Sequence, residues 1–230
     1  HSFLAAEDKN FFSHPGIDAK SITRATIKNL KNIFSNKRLE GASTITQQVA
    51  KNFLLTNEVS IKRKIKEAIL AFRIERAYSK ERIMELYLNQ IYLGEGTYGI
   101  AAASLEYFDK AVNELNYEET ALLAALPKAP SKYNPYKSKE RAKKRRDLVL
   151  KNLYENSYID ETQYKDLKNK KIKTKKRKIK LLEEANFYTE EVRRIISNNY
   201  GYDSLYKGGL SIRTPLNSNY QIEALKALRE

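Results

Sequence analysis

Gly41-Ala42-Ser43-Thr44-Ile45-Thr46-Gln47-Gln48-Val49-Ala50-Lys51-Asn52 is the stretch on which the reading of this chain turns. A glycine leads into small hydroxyl residues. From Ser43 to Leu55 the apolar residues Ile45, Val49 and Phe53 then recur four apart, the stripe of an amphipathic helix. Thr44, Gln47, Gln48 and Lys51 fall together on another face. A helix start offers backbone N–H groups to an anion, uncharged Gln47 and Gln48 add donors and acceptors, and Lys51 adds a cation. A sugar pyrophosphate needs this mixture of amide donors for hydroxyls and positive charge for phosphate. The same residues also suit a capped helix with a polar solvent face, but such faces usually carry more Glu and Lys and fewer hydroxyls and amides.

Helical patterning extends outward from this stretch. Ser60 can cap a helix in which Ile61, Ile65, Ala68, Ile69 and Phe72 recur at helical spacing. Another begins near Ser79, carries Ile83, Leu86, Tyr87 and Ile91, and runs into the glycine-rich break Gly94-Glu95-Gly96-Thr97-Tyr98-Gly99. A helix follows through Ala101-Ala102-Ala103 to Phe108. Asn116 with Glu119 forms a capping pair ahead of Ala121-Leu122-Leu123-Ala124-Ala125-Leu126. Pro127, Pro130 and Pro135 force an irregular stretch, after which helices resume at Arg141 and Asp160. An amphipathic helix from about Glu184 to Tyr200 ends at Gly201. Strand signals are confined to Leu210-Ser211-Ile212-Arg213-Thr214. The expected fold is mainly α, with one short strand near the C-terminal end.

Composition narrows the function. The 230 residues carry a formal net charge of +15, so partners bearing negative charge are expected: nucleic acid, anionic lipid or a pyrophosphate. With no cysteine and only His1 and His14, disulfides, cysteine-ligand zinc sites and multi-histidine metal sites are excluded. No run of 18 apolar residues appears that could span a bilayer. The chain opens on His1-Ser2-Phe3-Leu4-Ala5-Ala6, which reads as a helix entered midway and leads us to expect a piece of a longer protein. From Lys168 to Lys180 most residues are basic, the pattern of a solvated segment.

Two further clusters carry chemistry. In Glu7-Asp8-Lys9-Asn10-Phe11-Phe12-Ser13-His14-Pro15-Gly16, two acids adjoin aromatic rings and a histidine. A glutamate packed against rings has its pKa raised, which suits acid–base work near neutrality. On spacing alone Glu7 and Asp8 read equally as surface charges at a helix end, and His14 as a turn residue. In Arg63-Lys64-Ile65-Lys66-Glu67, Glu67 follows Lys64 by three and Arg63 by four, so the three share a helix face. An ion-pair ladder, about 0.2–0.5 kcal/mol per pair, is one reading, although base before acid is its weaker orientation. A cationic clamp oriented by Glu67 is the other. Tyr87 through Gly99 to Tyr107-Phe108 reads as scaffold, its glycines permitting close backbone approach.

In this order the segments resemble the five motifs of the family 51 peptidoglycan glycosyltransferases, found in class A (bifunctional) penicillin-binding proteins and monofunctional transglycosylases. Glu7-Asp8…Phe11…His14-Pro15-Gly16 is similar to the first motif, and Gly41…Ser43-Thr44-Ile45-Thr46-Gln47-Gln48…Lys51-Asn52 to the second. Arg63-Lys64…Glu67…Ala71…Glu75 resembles the third, and Tyr87-Leu88-Asn89…Gly94…Gly99…Tyr107-Phe108 the fourth. Glu119…Leu126-Pro127…Pro130…Tyr133-Asn134-Pro135 resembles the fifth. The similarity covers roughly residues 5 to 164. Gly208 to Leu216 looks like the strand entering a transpeptidase region, with Pro215 and Asn217 departing from the usual Thr-Thr-Leu-Asp.

The resemblance implies a lysozyme-like helical large lobe with a small membrane-proximal jaw, placed at about residues 20–40. There Ile27, Leu30, Ile33 and Phe34 stand beside Lys28, Lys31, Lys37 and Arg38. It implies a glycosyltransferase domain over 1–164, with a basic segment and linker over 165–230 leading to a transpeptidase domain. The implied reaction polymerises glycan chains from lipid II. Glu7 would be the general base and undecaprenyl pyrophosphate the leaving group, transferred with inversion. Glu67 would orient Lys51, Arg63 and Lys64 on the pyrophosphate, or hold a divalent cation (Mg or Mn). Ser43, Thr44, Gln47, Gln48 and Asn52 would position sugars or phosphates, with Asp8 and His14 supporting the Glu7 loop. Partners would be lipid II, the growing strand and the membrane surface, and the expected place is the periplasmic face of the inner membrane. A lysozyme-like hydrolase using Glu7 and Glu67 is the chemical rival. A basic nucleic-acid-binding helical protein is the rival of another class, without a recognised motif.

Overall fold

The computed structural model describes residues 1–33, 41–54, 60–175, 185–207, 210 and 212–229. The mainly α architecture expected from the sequence is what the chain adopts. The first helices are α1 (Ser2–Glu7), α2 (Ala19–Ile33), α3 (Ile45–Leu54), α4 (Ile61–Ala77) and α5 (Lys80–Gln90). An antiparallel hairpin, β1 (Tyr92–Gly94) and β2 (Thr97–Tyr98), follows where the glycine-rich break stands. Then come α6 (Ile100–Phe108), α7 (Tyr117–Ala125), α8 (Pro130–Tyr133), α9 (Lys139–Glu155) and α10 (Glu161–Asn169). The C-terminal elements are α11 (Asn186–Tyr200), α12 (Tyr202–Lys207) and α13 (Ser218–Arg229).

Local chemistry starts and stops these helices where the sequence suggests. Ser60 Oγ accepts from Arg63 N at 3.1 Å to open α4, and Ser79 Oγ accepts from Arg82 N to open α5. Glu119 accepts the backbone N–H of Asn116 at 2.9 Å ahead of α7. Gly201 ends α11 at φ +83°, with its N–H on Ser197 O. The expected strand does not form at residues 210 and 212–214: no partner strand is paired with them, and Ile212, Thr214 and Leu216 instead line a groove with Tyr188 and Val192 of α11.

The core is built around α7. Every residue from Ala121 to Leu126 is buried, and α7 packs on α9 and α1. Leu122, Leu123 and Leu126 each contribute about 1.5–3 kcal/mol by leaving water. α3 packs on α4 and α5, with Ile45 and Val49 inward. The side chains of Lys31, Ile33 and Phe53, and residues 34–40 of the expected jaw, lie outside the described residues.

One helix is inverted with respect to its pattern. The apolar residues that mark α4 in the sequence face solvent: Ile61 is 82% exposed, and Ile65, Ile69 and Phe72 are exposed with it. The buried positions are Ala71 and the charged Glu67, which is 2% exposed. Ordinary amphipathic packing would place them the other way round.

Candidate active site

α1 ends at Glu7 and delivers it into a cleft. The helix is fixed from two sides. Asn152 Nδ2 donates to Ala5 O at 2.9 Å, tying it to α9, and Ser2 and Thr120 share a hydroxyl hydrogen bond that ties it to α7. The cleft is lined by Glu7, Asp8, Lys9, Asp18, Arg24, Ser43, Thr44, Lys128 and Arg145, among others.

Glu7 is largely buried, and burial pushes its pKa above the ordinary carboxylate value. Asp8 beside it adds to the rise. Opposing it are a hydrogen bond from Gln48 Nε2 to Glu7 Oε2 at 3.1 Å, the Arg145 guanidinium 3.9 Å from Oε1, and the charge of Lys128. The group is thus a carboxylate with a strengthened appetite for a proton, held toward a polar cleft.

Its neighbour has a different task. Asp8 accepts the N–H of Ile45, the first residue of α3, at 3.0 Å, and pairs with His14 Nε2 at 3.0 Å. His14 Nδ1 accepts from Gly16 N at 3.2 Å, which places the donated proton on Nε2. The loop is closed by Gly16 at φ +92°, where a Cβ would sit 2.9 Å from Ala71 O; Thr44 Oγ1 donates to Gly16 O at 2.6 Å. Lys80 Nζ binds both His14 O and Glu75 Oε1 and lies over the Phe11 ring. Asp8 and His14 therefore fold the loop that follows Glu7 and lie buried.

The start of α3 differs from the open anion site that its sequence suggests. Thr44 Oγ1 accepts from Gln47 N at 3.1 Å, while Gln47 Oε1 accepts from Thr44 N at 3.0 Å. Together with Asp8 on Ile45 N, these bonds satisfy the helix start from within the protein. Thr44 and Gln47 are buried and cap α3, and Thr44 also lines the cleft. Gln48 reaches Glu7, whereas Lys51 and Asn52 are exposed further along α3.

A cationic group stands at the other side. Lys64 Nζ donates to Ser43 Oγ at 2.8 Å and also pairs with Glu67 Oε1; Arg63 Nη1 lies 4.0 Å from Glu67 Oε2. Arg63 Nε and Nη1 are buried without a hydrogen-bond partner. Buried donors of this kind are rarely left unpaired, and two on one guanidinium suit an incoming anion. Glu67 does not line the cleft; it sits behind Ser43 and holds the two cations. Among the described residues no three His, Cys, Asp or Glu side chains gather as a metal ligand set.

Sequence reasoning missed Lys128 and Arg145. Arg145 had a signal: with Ala142, Arg146, Val149 and Leu153 it falls on the buried face of α9, and a charge on an apolar stripe needs a partner. Lys128, between Pro127 and Pro130, had none.

The transglycosylase family profile matches residues 1–154, and the chain belongs to that family. It is a domain of the peptidoglycan glycosyltransferase class. Penicillin-binding protein 1A of Rickettsia prowazekii is 49% identical over all 230 residues, which span 29% of that protein. Penicillin-binding protein 1A of Aquifex aeolicus is 49% identical over 231 residues, 31% of its length. The chain thus spans about three-tenths of the curated relatives it matches. A crystal structure of penicillin-binding protein 1A from Haemophilus influenzae is 34% identical, covers 80% of this chain and 24% of that one, and has a TM-score of 0.41.

Proposed function

We propose that this domain polymerises glycan strands from lipid II, with Glu7 as general base. The acceptor's GlcNAc 4-hydroxyl gives its proton to Glu7 as its oxygen attacks the anomeric carbon of the donor MurNAc. The C–O bond to undecaprenyl pyrophosphate breaks, and configuration inverts from α to β. General base catalysis contributes typically ~10²–10⁴-fold; charge stabilisation supplies much of the rest. Arg63 and Lys64 receive the departing diphosphate, Ser43 orients Lys64, and Glu67 holds both cations. Lys51 and Asn52 extend the same side along α3, and Lys128 and Arg145 line the cleft beside the base.

The observation that carries this reading is the placement of a proton-hungry carboxylate in the cleft that Ser43 lines, with the orphaned Arg63 donors and Lys64 behind Ser43. A hydrolase would have no diphosphate to neutralise. The test is Glu7→Gln on purified lipid II: the protein folds and polymer formation is lost. Wild-type polymerisation by this variant would remove Glu7 from the base role.

A membrane surface is the second partner in the proposal. α2 bears Ile22, Ile27 and Leu30 exposed among Lys20, Arg24 and Lys28, with no acid in its sequence. The exposed row of α4 adds Ile61, Ile65, Ile69 and Phe72 beside Lys62, Lys66 and Arg73. Both suit an interfacial seat on anionic lipid. Among the described residues no helix is long and apolar enough to cross a membrane. Residues 165–230 are proposed as the segment connecting this domain to the remainder of a longer protein, working at the extracytoplasmic face.

A further inference from the structure

Tyr87, on α5, is 1% exposed, and its hydroxyl is buried without a hydrogen-bond partner. Its ring meets Phe3 edge-on, with centroids 6.1 Å apart. Phe3 and Glu7 are four residues apart on α1 and so share a helix face. The tyrosine therefore lies under the side of α1 that carries the base. Both carboxylates act on it: burial, then Glu7 and Asp8, push its hydroxyl well above its usual pKa, so it stays a protonated donor.

The acceptors around it are unequally occupied. Asp8 accepts from Ile45 N and pairs with His14 through both of its oxygens. Glu7 Oε2 accepts from Gln48, while Oε1 has only Arg145 at 3.9 Å, an ion pair longer than a hydrogen bond. A carboxylate takes several donors, and a buried hydroxyl needs an acceptor. Enclosed polar groups too far apart to bond directly are commonly joined by one ordered water.

We propose that Tyr87 is a positioning residue for the base: its hydroxyl donates, through one enclosed water, to the buried edge of the Glu7 carboxylate and holds the ionised form facing the cleft. This rests on Glu7 being the base. Tyr87 belongs to a segment that reads as scaffold in the sequence, and the proposal gives its hydroxyl a purpose that packing alone does not.

The experiment compares pH profiles of kcat/KM for lipid II polymerisation by the wild-type protein, Tyr87→Phe, a variant carrying 3-fluorotyrosine at position 87, and Glu7→Gln. Losing the donor raises the pKa of Glu7, so the acid limb of Tyr87→Phe moves to higher pH by about half a unit or more, since half a unit is roughly a threefold change in ionisation. Fluorotyrosine, a stronger donor of the same shape, moves it to lower pH and is informative even where Tyr87→Phe folds poorly. Acid limbs superimposable on wild type, with Glu7→Gln inactive, overturn the role of Tyr87 alone. A Glu7→Gln protein as active as wild type overturns the base assignment and this inference with it.

Discussion

The Asp8 carboxylate accepts the backbone N–H of Ile45 at 3.0 Å, across 37 positions of chain. An acidic side chain from the first motif thereby caps the helix that carries the second. Negative charge at a helix N-terminus is favourable, and this contact sets α3, hence Gln48, against Glu7. Asp8→Ala leaves Ile45 N–H and His14 Nε2 without acceptors. A destabilisation of about 2–6 kcal/mol is expected, summing two buried groups at ~1–3 kcal/mol each. Urea unfolding measures it, and a loss below ~0.5 kcal/mol would sever the link between the loop and α3. Asp8→Asn, which keeps an acceptor for Ile45, is expected to fall between.

Glu7 shows how stability and activity oppose each other here. Its pKa is raised by burial, so folding favours its protonated form. That contribution is complete below the ordinary glutamate value and is lost as pH rises through the higher folded value. At neutral pH the ionised group opposes folding, so Glu7→Gln is expected to melt above wild type while making no polymer. Gln48→Ala removes a hydrogen bond that holds the pKa down. Its acid limb of activity is therefore expected at higher pH, with little change in melting temperature. A limb shifted to lower pH would contradict the geometry.

Arg63 supplies a separate test. Inorganic pyrophosphate is expected to inhibit the wild-type protein by occupying its two unpartnered donors. Arg63→Ala is expected to lose ~10–100-fold in kcat/KM, equivalent to ~1.4–2.7 kcal/mol, and to lose most of the pyrophosphate inhibition. Arg63→Lys keeps the charge without the planar fork and is expected to recover only part of the rate. Equal inhibition of wild type and Arg63→Ala would place the anion elsewhere.

How far the sequence anticipates this site depends on the kind of information each residue carries. Caps and breaks are local, so Ser60, Ser79, Glu119 and Gly201 act where the pattern puts them. Which side of a helix meets a neighbour is not local. Periodicity finds α4, yet Glu67 faces inward because Lys64 and Arg63 neutralise it, while the Ile61–Phe72 row faces out. The hydroxyls and amides of α3 look alike in sequence, but a reciprocal bond commits Thr44 and Gln47 to a cap and leaves Gln48 for Glu7. Arg145 reaches Glu7 from 138 positions away, a pairing that only the packing of α9 on α1 creates.

The exposed row on α4 leads to a prediction that separates binding from folding. Ile65→Ser with Phe72→Ser removes apolar surface that touches solvent, so melting is expected within a few tenths of a kcal/mol of wild type. Cosedimentation with vesicles containing anionic lipid is expected to fall, and neutral vesicles to bind the wild-type protein less well than anionic ones. Unchanged binding to anionic vesicles would remove α4 from the membrane seat and leave α2 to account for it.

The start of α2 joins that helix to the loop that follows Glu7. Asp18 accepts from Ser21 N at 2.9 Å and from Asn10 Nδ2 at 2.8 Å, so one carboxylate caps α2 and ties it to the Asp8–His14 turn. Burial opposes its charge, but the Ser21 and Asn10 hydrogen bonds outweigh that and hold its pKa at about 2. A depressed carboxylate stabilises the fold above its unfolded value near 3.8, and that contribution is lost as pH falls through about 2. Asp18→Ala is expected to cost about 1 kcal/mol at neutral pH, the usual worth of an N-cap. It is also expected to flatten the acid end of the stability curve and to speed amide exchange in α2 ahead of α7. If exchange in α2 matched wild type, the cap would be ornamental, and the first turn of α2 would have to be held by its packing alone.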